Sequence, residues 1–180
     1  MLKRWLQYCL QSHQMRKLLP EDENLIIAEI INSFEKYNLR DIKEINSTKQ
    51  ELEFPIAVFI LCSCFIDQLS GFRYATERVK SRYIKFVKEY LPKYDANELN
   101  SDLRNRLVHN YSLGSYYVLS RKKPNWEILQ TKYKFLNADD FIADLEACFK
   151  RYKNELQTDP QIRNNALRWY ETYKIIKLAL

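Results

Sequence analysis

Apolar residues recur every three or four positions over most of this chain, the spacing that places side chains on one face of an α-helix. Two clear stripes belong to a helix that begins after Pro20 and to a basic helix that ends at Pro92. Between them, residues 56–66 are apolar nearly all round, so this segment is predicted as the central helix. Pro55 suits its first turn and Gly71 suits its C-terminal cap.

One more helix and two strands are predicted after residue 97. A helix is predicted over about 98–111, capped by Asn97 or Asn100 and ending near Gly114. The next segments, 116–120 and 126–130, flank a basic turn and are predicted to pair as a β-hairpin.

The two ends of the chain also carry helical patterns. A short helix is predicted between Trp5 and His13. C-terminal helices are predicted over about 138–178, with Asn137 as the first cap and a break at Asp159-Pro160. We therefore expect a mainly α fold with one β-hairpin insertion near 116–130, and a single domain over residues 1–180.

Composition agrees with a helical fold and narrows the chemistry. The chain of 180 residues has only 2 glycines and 5 prolines, which leaves few sites for sharp turns. Its formal net charge of +6 favours an anionic partner such as RNA, although whole-chain charge governs steering and not fold.

The cysteines have no metal-binding or CxxC spacing, so we expect small buried thiols in a reducing compartment, with no metal and no cofactor. They are Cys9, Cys62, Cys64 and Cys148. The first residues lack the features of a signal peptide. The apolar run at 56–66 is about half of the roughly 20 residues that span a bilayer. A cytoplasmic protein without a membrane anchor is expected.

The candidate chemistry lies in the helix over 98–111. Arg104 is followed by a polar Asn105, by His109 five residues after the arginine, and by Tyr111. Histidine exchanges protons near neutral pH, and a guanidinium offers paired donors to a phosphate. At about 100° per residue, however, Arg104 lies roughly 140° around an α-helix from His109. Either a kink or a second copy of the helix across a two-fold axis would bring them to one phosphate.

The pattern Arg-polar-x3-His-x-Tyr resembles the signature of the HEPN superfamily (higher eukaryotes and prokaryotes nucleotide-binding domains). This resemblance implies an antiparallel helical bundle and a homodimer whose paired motif helices line one cleft. It also implies metal-independent endoribonuclease activity, as in a toxin or phage-defence effector. In that activity His109 would transfer protons, Arg104 would bind the scissile phosphate, and Asn105 would orient His109 or the phosphate.

Two further residues belong to the same hypothesis. Arg106 is a candidate RNA-binding residue that the family pattern does not require. Tyr111 completes the pattern of HEPN toxins that pair with a nucleotidyltransferase antitoxin, in which this tyrosine accepts an adenylyl group. Adenylylation would place a bulky anion in the RNA-binding cleft.

The sequence leaves other interpretations open. A non-catalytic HEPN module could bind RNA, a nucleotide or a protein partner, since a fold can persist without its activity. His109 could be a helix C-terminal histidine bonded to a backbone carbonyl, and the arginines could be solvated surface charges. Leu103 and Leu107 are expected to anchor the helix on the core.

Overall fold

The computed structural model of the chain describes residues 20–47, 56–75, 77–121, 123, 128–129 and 133–173. The α-helices are α1 (Pro20–Ser33), α2 (Arg40–Ser47), α3 (Ile56–Tyr74), α4 (Val79–Tyr90), α5 (Ala96–Leu99), α6 (Val108–Asn110), α7 (Ala138–Thr158) and α8 (Pro160–Tyr173). Two π-helical stretches are π1 (Phe34–Leu39) and π2 (Asn100–Leu107). The strands are β1 (Tyr117–Ser120), β2 (Ile128–Leu129) and β3 (Tyr133–Asn137). The mainly α class is confirmed, and the predicted helix at 5–13 lies outside the described residues.

The central helix α3 organises the core. It packs against α2, α4, α7, α8 and π2. Aromatic side chains dominate its surroundings, and Phe34 makes edge-to-face contacts with both Phe65 and Phe72. The helix therefore buries apolar groups on several sides, as its all-round apolar sequence predicts.

The same helix is longer than the apolar run suggested. It extends over 19 residues to Tyr74, so by length and composition alone it could cross a membrane. In the described part of the chain this helix lies in the core and packs against the other helices.

Gly71 does not cap this helix, so that prediction is wrong. The helix continues for three residues and ends before Ala75, whose φ is 48°. Gly71 is instead a point of close approach, because a Cβ there would lie 2.5 Å from two ring atoms of Trp169. The missing side chain lets α8 pack directly onto α3.

The predicted pairing of the strands is also wrong. β1 does not pair with β2; it pairs in parallel with β3, with Tyr117 opposite Lys134 and Ser120 opposite Asn137. β2 pairs with β3 in antiparallel fashion, which gives the strand order β1-β3-β2. The segment 116–120 was predicted as a strand, and β1 is found there. β3 was not predicted, and it lies between β1 and β2 and pairs with both.

One predicted helix cap is found in the structure and another is replaced by a different residue. Asn137 caps α7 by accepting hydrogen bonds from the backbone N–H groups of Asp139 and Asp140, as expected. The helix that carries Arg104 and His109 is capped by Asp95, not by Asn97 or Asn100. Helix α7 ends before Asp159, as predicted, and the Asp159 side chain caps α8. The described part of the predicted C-terminal helices ends at Tyr173, and residues 174–178 lie outside it.

Candidate functional site on the motif helix

The motif helix comprises α5, π2 and α6, residues 96–110. Asp95 starts it by accepting hydrogen bonds from the backbone N–H groups of Asn97 and Glu98. Leu103 and Leu107 are buried in the core at 0% and 1% exposure, so their predicted anchoring role is confirmed. With one face fixed in this way, the polar residues between the leucines are turned toward the surface.

The middle of the motif helix is π-helical, which changes the geometry inferred from the sequence. The backbone N–H of Val108 donates to the carbonyl of Leu103, five residues earlier. A π-helix therefore turns through fewer degrees per residue than the α-helix assumed above. The 140° separation of Arg104 and His109 is an overestimate, because residues five apart are the ones that π-helical hydrogen bonding brings toward one face.

Arg104 is held at the surface of the core by two neighbours. Its Nη1 donates to Asn105 Oδ1 at 3.0 Å, and its Nη2 lies 3.5 Å from Asp67 Oδ2. The side chain is 20% exposed, and its Nε is buried without a hydrogen-bond partner within the described residues. Asn105 therefore orients the arginine, whereas the sequence had left open whether it orients the histidine or a phosphate.

Asp67 is a site residue that the sequence interpretation missed. Its Oδ1 lies 3.4 Å from Nη2 of Arg82, so one carboxylate is shared by Arg82 and Arg104. Arg82, a cation on the basic helix that was predicted to end at Pro92, is only 8% exposed. A signal was present, because Asp67 is the only charged residue between Ile56 and Gly71. An isolated acid in an apolar helix requires a partner.

Cys64 lies beside this cluster. It was expected to be buried, and it is exposed, whereas Cys62 and Cys148 are buried as predicted. Partial desolvation raises the pKa of the Cys64 thiol, and the charge of Asp67 raises it further, while Arg104 opposes the shift. The thiol is therefore protonated near neutral pH and is a poor nucleophile.

His109 and Arg106 both face solvent. The imidazole of His109 makes no hydrogen bond with any of the described residues, so among them it is not bonded to a backbone carbonyl, which was one alternative that the sequence left open. No hydrogen bond joins it to Arg104 or Asn105 among those residues either. The imidazole is free to meet a ligand or a second chain.

Tyr111 ends the motif helix, in place of the predicted end near Gly114. Its φ of 54° lies in the left-handed region, where a non-glycine residue costs on the order of 1 kcal/mol or more. Its backbone N–H donates to the carbonyl of Leu107, and its side chain is 70% exposed. The ring and hydroxyl are thus accessible immediately beside His109.

A buried carboxylate fixes the chain that follows. Asp102, at 0% exposure, accepts hydrogen bonds through Oδ2 from the backbone N–H groups of Tyr116 and Tyr117 at 2.9 and 3.1 Å. A Cβ on Gly114 would lie 1.7 Å from Asp102 Oδ1, so the loop can close over this carboxylate only with glycine there. The segment between His109 and β1 is therefore held at one end by the hydrogen bond from Tyr111 to Leu107 and at the other end by Asp102.

No protein-family model, curated protein or solved structure matches this chain. Within the described ranges, no group of three or more histidine, cysteine, aspartate or glutamate side chains is placed to hold a metal ion. The geometry of the motif helix is accordingly the basis for any functional proposal.

Proposed function

We propose that this protein is a metal-independent endoribonuclease of the HEPN type, acting in the cytoplasm as a homodimer with RNA bound between two motif helices. One observation carries the proposal. The motif helix presents an exposed His109, whose imidazole has no hydrogen-bond partner in the described part of the chain, together with an Arg104 that is oriented by Asn105, on one short stretch of surface.

The chemistry follows from these groups. The 2′ oxygen of the RNA forms a bond to the adjacent phosphorus, and the bond from phosphorus to the 5′ oxygen breaks. The 2′ hydroxyl loses its proton as this bond forms, and the 5′ oxygen gains a proton as it leaves. His109 makes one of these two transfers and water makes the other; a well-placed acid or base contributes about 10²–10⁴-fold. Arg104 binds the phosphate and stabilises the negative charge that develops on its oxygens. Arg106, exposed on the same helix, adds a phosphate contact.

A homodimer would supply a partner for the His109 imidazole, which has none among the residues that the structure describes. A two-fold axis beside the motif helix would place Arg104 of each chain toward His109 of the other. The π-helical turn narrows the angle between these residues within one chain, so the dimer is a separate proposal with its own test. Light scattering at micromolar concentration should give twice the chain mass, and a strictly monomeric protein would contradict it.

The main alternative is a non-catalytic module that binds RNA, a nucleotide or a protein partner. The ion pair between Arg104 and Asp67 favours it, because a carboxylate already occupies part of the guanidinium. A module that does not cleave RNA would not need Arg104 to leave Asp67 in order to bind the scissile phosphate. The two proposals differ in whether RNA is cut.

The decisive experiment incubates purified protein with total RNA in the presence of a chelator. Cleavage should occur and should fall by at least about 100-fold in His109→Ala, the lower bound for losing a general acid or base. Arg104→Ala should lose activity similarly. Lys150→Ala is the control, since Lys150 is an exposed cation on α7. Wild-type protein that leaves RNA intact, yet binds it as tightly as Arg104→Ala does, would favour the binding module.

The accessible Tyr111 allows a sharper test of a toxin role. A nucleotidyltransferase antitoxin should transfer AMP from ATP to the exposed hydroxyl of Tyr111, two residues after His109, with release of pyrophosphate. The modification should silence cleavage, because the added phosphate and base would occupy the RNA path. Tyr111→Phe should cleave RNA normally and resist silencing, and mass spectrometry of the tryptic peptide would locate the added group. Silencing of Tyr111→Phe to the same extent would rule out this site.

A further inference from the structure

A cavity of about 390 Å³ lies between the start of α4 and the last described turns of α8. Its volume is at the lower end of the range of about 300–1,000 Å³ typical of small-ligand sites. We call it the arginine pocket, after three of the residues that line it, Arg78, Arg82 and Arg168. Trp169 and Tyr173 form its aromatic wall.

The arginine pocket carries an excess of positive charge. Arg78 and Arg168 are exposed, and neither side chain makes an ion pair within the described residues. The acid in the described lining, Glu77, is already engaged by Lys85 at 2.7 Å. Two guanidinium groups are therefore available to an anion, and their planar donors suit phosphate oxygens.

The wall of the pocket is a preassembled aromatic stack. The guanidinium of Arg82 lies over the ring of Trp169 at 4.5 Å, and the ring of Tyr173 packs on Trp169 with centroids 4.1 Å apart. Tyr173 is 64% exposed, so the stack ends in an open aromatic ring. Such a ring is a surface on which a flat base can stack.

Arg82 provides an independent indication of a ligand. Its side chain is 10% exposed, and its Nε is buried without a hydrogen-bond partner within the described residues. A buried donor without an acceptor costs about 1–3 kcal/mol. A ligand oxygen reaching this corner of the pocket would remove that cost.

We propose that the arginine pocket binds one nucleotide unit, with its base stacked on Tyr173 and its phosphate held by Arg78 and Arg168. The proposal deepens the ribonuclease function and rests on it only for the identity of the ligand as RNA. This lining selects a ligand that carries both a flat aromatic ring and an anionic group, since arginine guanidinium groups recognise phosphate and aromatic side chains stack on bases.

The pocket is connected to the motif helix through Asp67. The same carboxylate pairs with Arg82 on the pocket side and with Arg104 on the motif side. A strand of RNA whose scissile phosphate lies at Arg104 would thus have a neighbouring nucleotide within reach of the pocket. Occupancy of the pocket would position the strand before cleavage.

The test measures binding through the fluorescence of Trp169. Trp5 and Trp126 are replaced by phenylalanine, and His109→Ala is added so that the RNA stays intact. The probes are a single-stranded RNA of six uridines and uridine monophosphate, each titrated at several salt concentrations. The variants are Arg78→Ala/Arg168→Ala, Tyr173→Ala, and the control Lys150→Ala, with circular dichroism to verify folding.

The expected result is quenching by the RNA hexamer, with affinity reduced about tenfold by Tyr173→Ala, as for loss of a stacking platform. The double arginine variant should lower the slope of log affinity against log salt by about 0.7, because the two arginines neutralise one phosphate and each neutralised phosphate on a single strand contributes about 0.7. The control should bind as the parent protein does.

The remaining outcomes are also decisive. Equal affinity for the monophosphate and the hexamer would support the pocket as a site for a free nucleotide. Absence of quenching by either probe, or unchanged affinity and salt slope in the double arginine variant, would overturn the proposal. Binding in the pocket, combined with wild-type protein that leaves total RNA uncut, would refute the ribonuclease and still support the pocket as a nucleotide site.

Discussion

The contact between Gly114 and Asp102 gives the sharpest prediction about the loop that follows the motif helix. In Gly114→Ala the new methyl group would lie 1.7 Å from Asp102 Oδ1 and 2.4 Å from Cγ, far inside van der Waals contact. The carboxylate cannot turn away without losing its hydrogen bonds from the backbone N–H groups of Tyr116 and Tyr117. Either the loop or the carboxylate must move.

The cost can be estimated from what is lost. A hydrogen bond to a charged group contributes about 1.5–3 kcal/mol, and overpacking a well-packed site costs about 1–3 kcal/mol. Because movement of the loop would relieve part of the clash, we expect Gly114→Ala to lower the free energy of unfolding by about 3 kcal/mol. For a protein of this length that corresponds to a fall in Tm of about 6–12 °C.

A double-mutant cycle measured by urea denaturation separates the clash from a general loop defect. Asp102→Ala removes the carboxylate and should itself destabilise the protein by about 3 kcal/mol, because two backbone donors lose their acceptor. In that background Gly114→Ala should cost almost nothing, since its methyl group has space. Ser115→Ala, at an exposed neighbouring position, is the control and should change stability by less than about 0.5 kcal/mol. Additive effects, or a Gly114→Ala protein as stable as wild type, would refute the reasoning.

Three more predictions follow from the core and the site. Gly71→Ala should lower the free energy of unfolding by about 2 kcal/mol and shift Trp169 fluorescence, because its Cβ would lie 2.5 Å from that ring; urea titration with unchanged spectrum and midpoint would contradict this. Asp67→Asn should cost about 1–2 kcal/mol, since it leaves two partly buried guanidinium groups without their shared charge, and an unchanged denaturation midpoint would show that the pairs contribute nothing. In a Cys9→Ser protein at pH 8, a thiol reagent should modify Cys64 first and Cys148 only on unfolding, because burial raises the pKa of Cys148 to about 12 and keeps it protonated below that pH; equal rates in the native state would be the contrary result.

The helical framework was accessible from the sequence because its signals are local. The apolar stripe of α4 and the cap at Asn137 depend on residues within a few positions of one another. The cap is found as predicted, and the stripe is buried except at Val79, which was expected to face inward and is 37% exposed. The leucines of the motif helix follow the same rule, so Leu103 and Leu107 were correctly placed in the core. The pattern from Arg104 to Tyr111 identified a candidate site on a helix with one exposed polar side.

The environment of that site was not accessible in the same way. Asp67 lies 37 residues from its partner Arg104, and no local pattern states which cation an isolated acid will meet. The π-helical turn was also not predicted, because α-helices and π-helices have nearly the same residue preferences. Tertiary packing selects between the two geometries. The angle assumed between Arg104 and His109 was wrong for this reason.

The sequence by itself determined where helices form, which of their faces are apolar, and which polar residues occupy the motif helix, since these depend on spacing within a turn or two. Only the tertiary structure decided which strands pair, why Gly71 and Gly114 must lack side chains, and which charges share Asp67. Those features arise where segments distant in sequence come within a few ångströms. Their identity is set by close packing and by the need of each buried polar group for a partner.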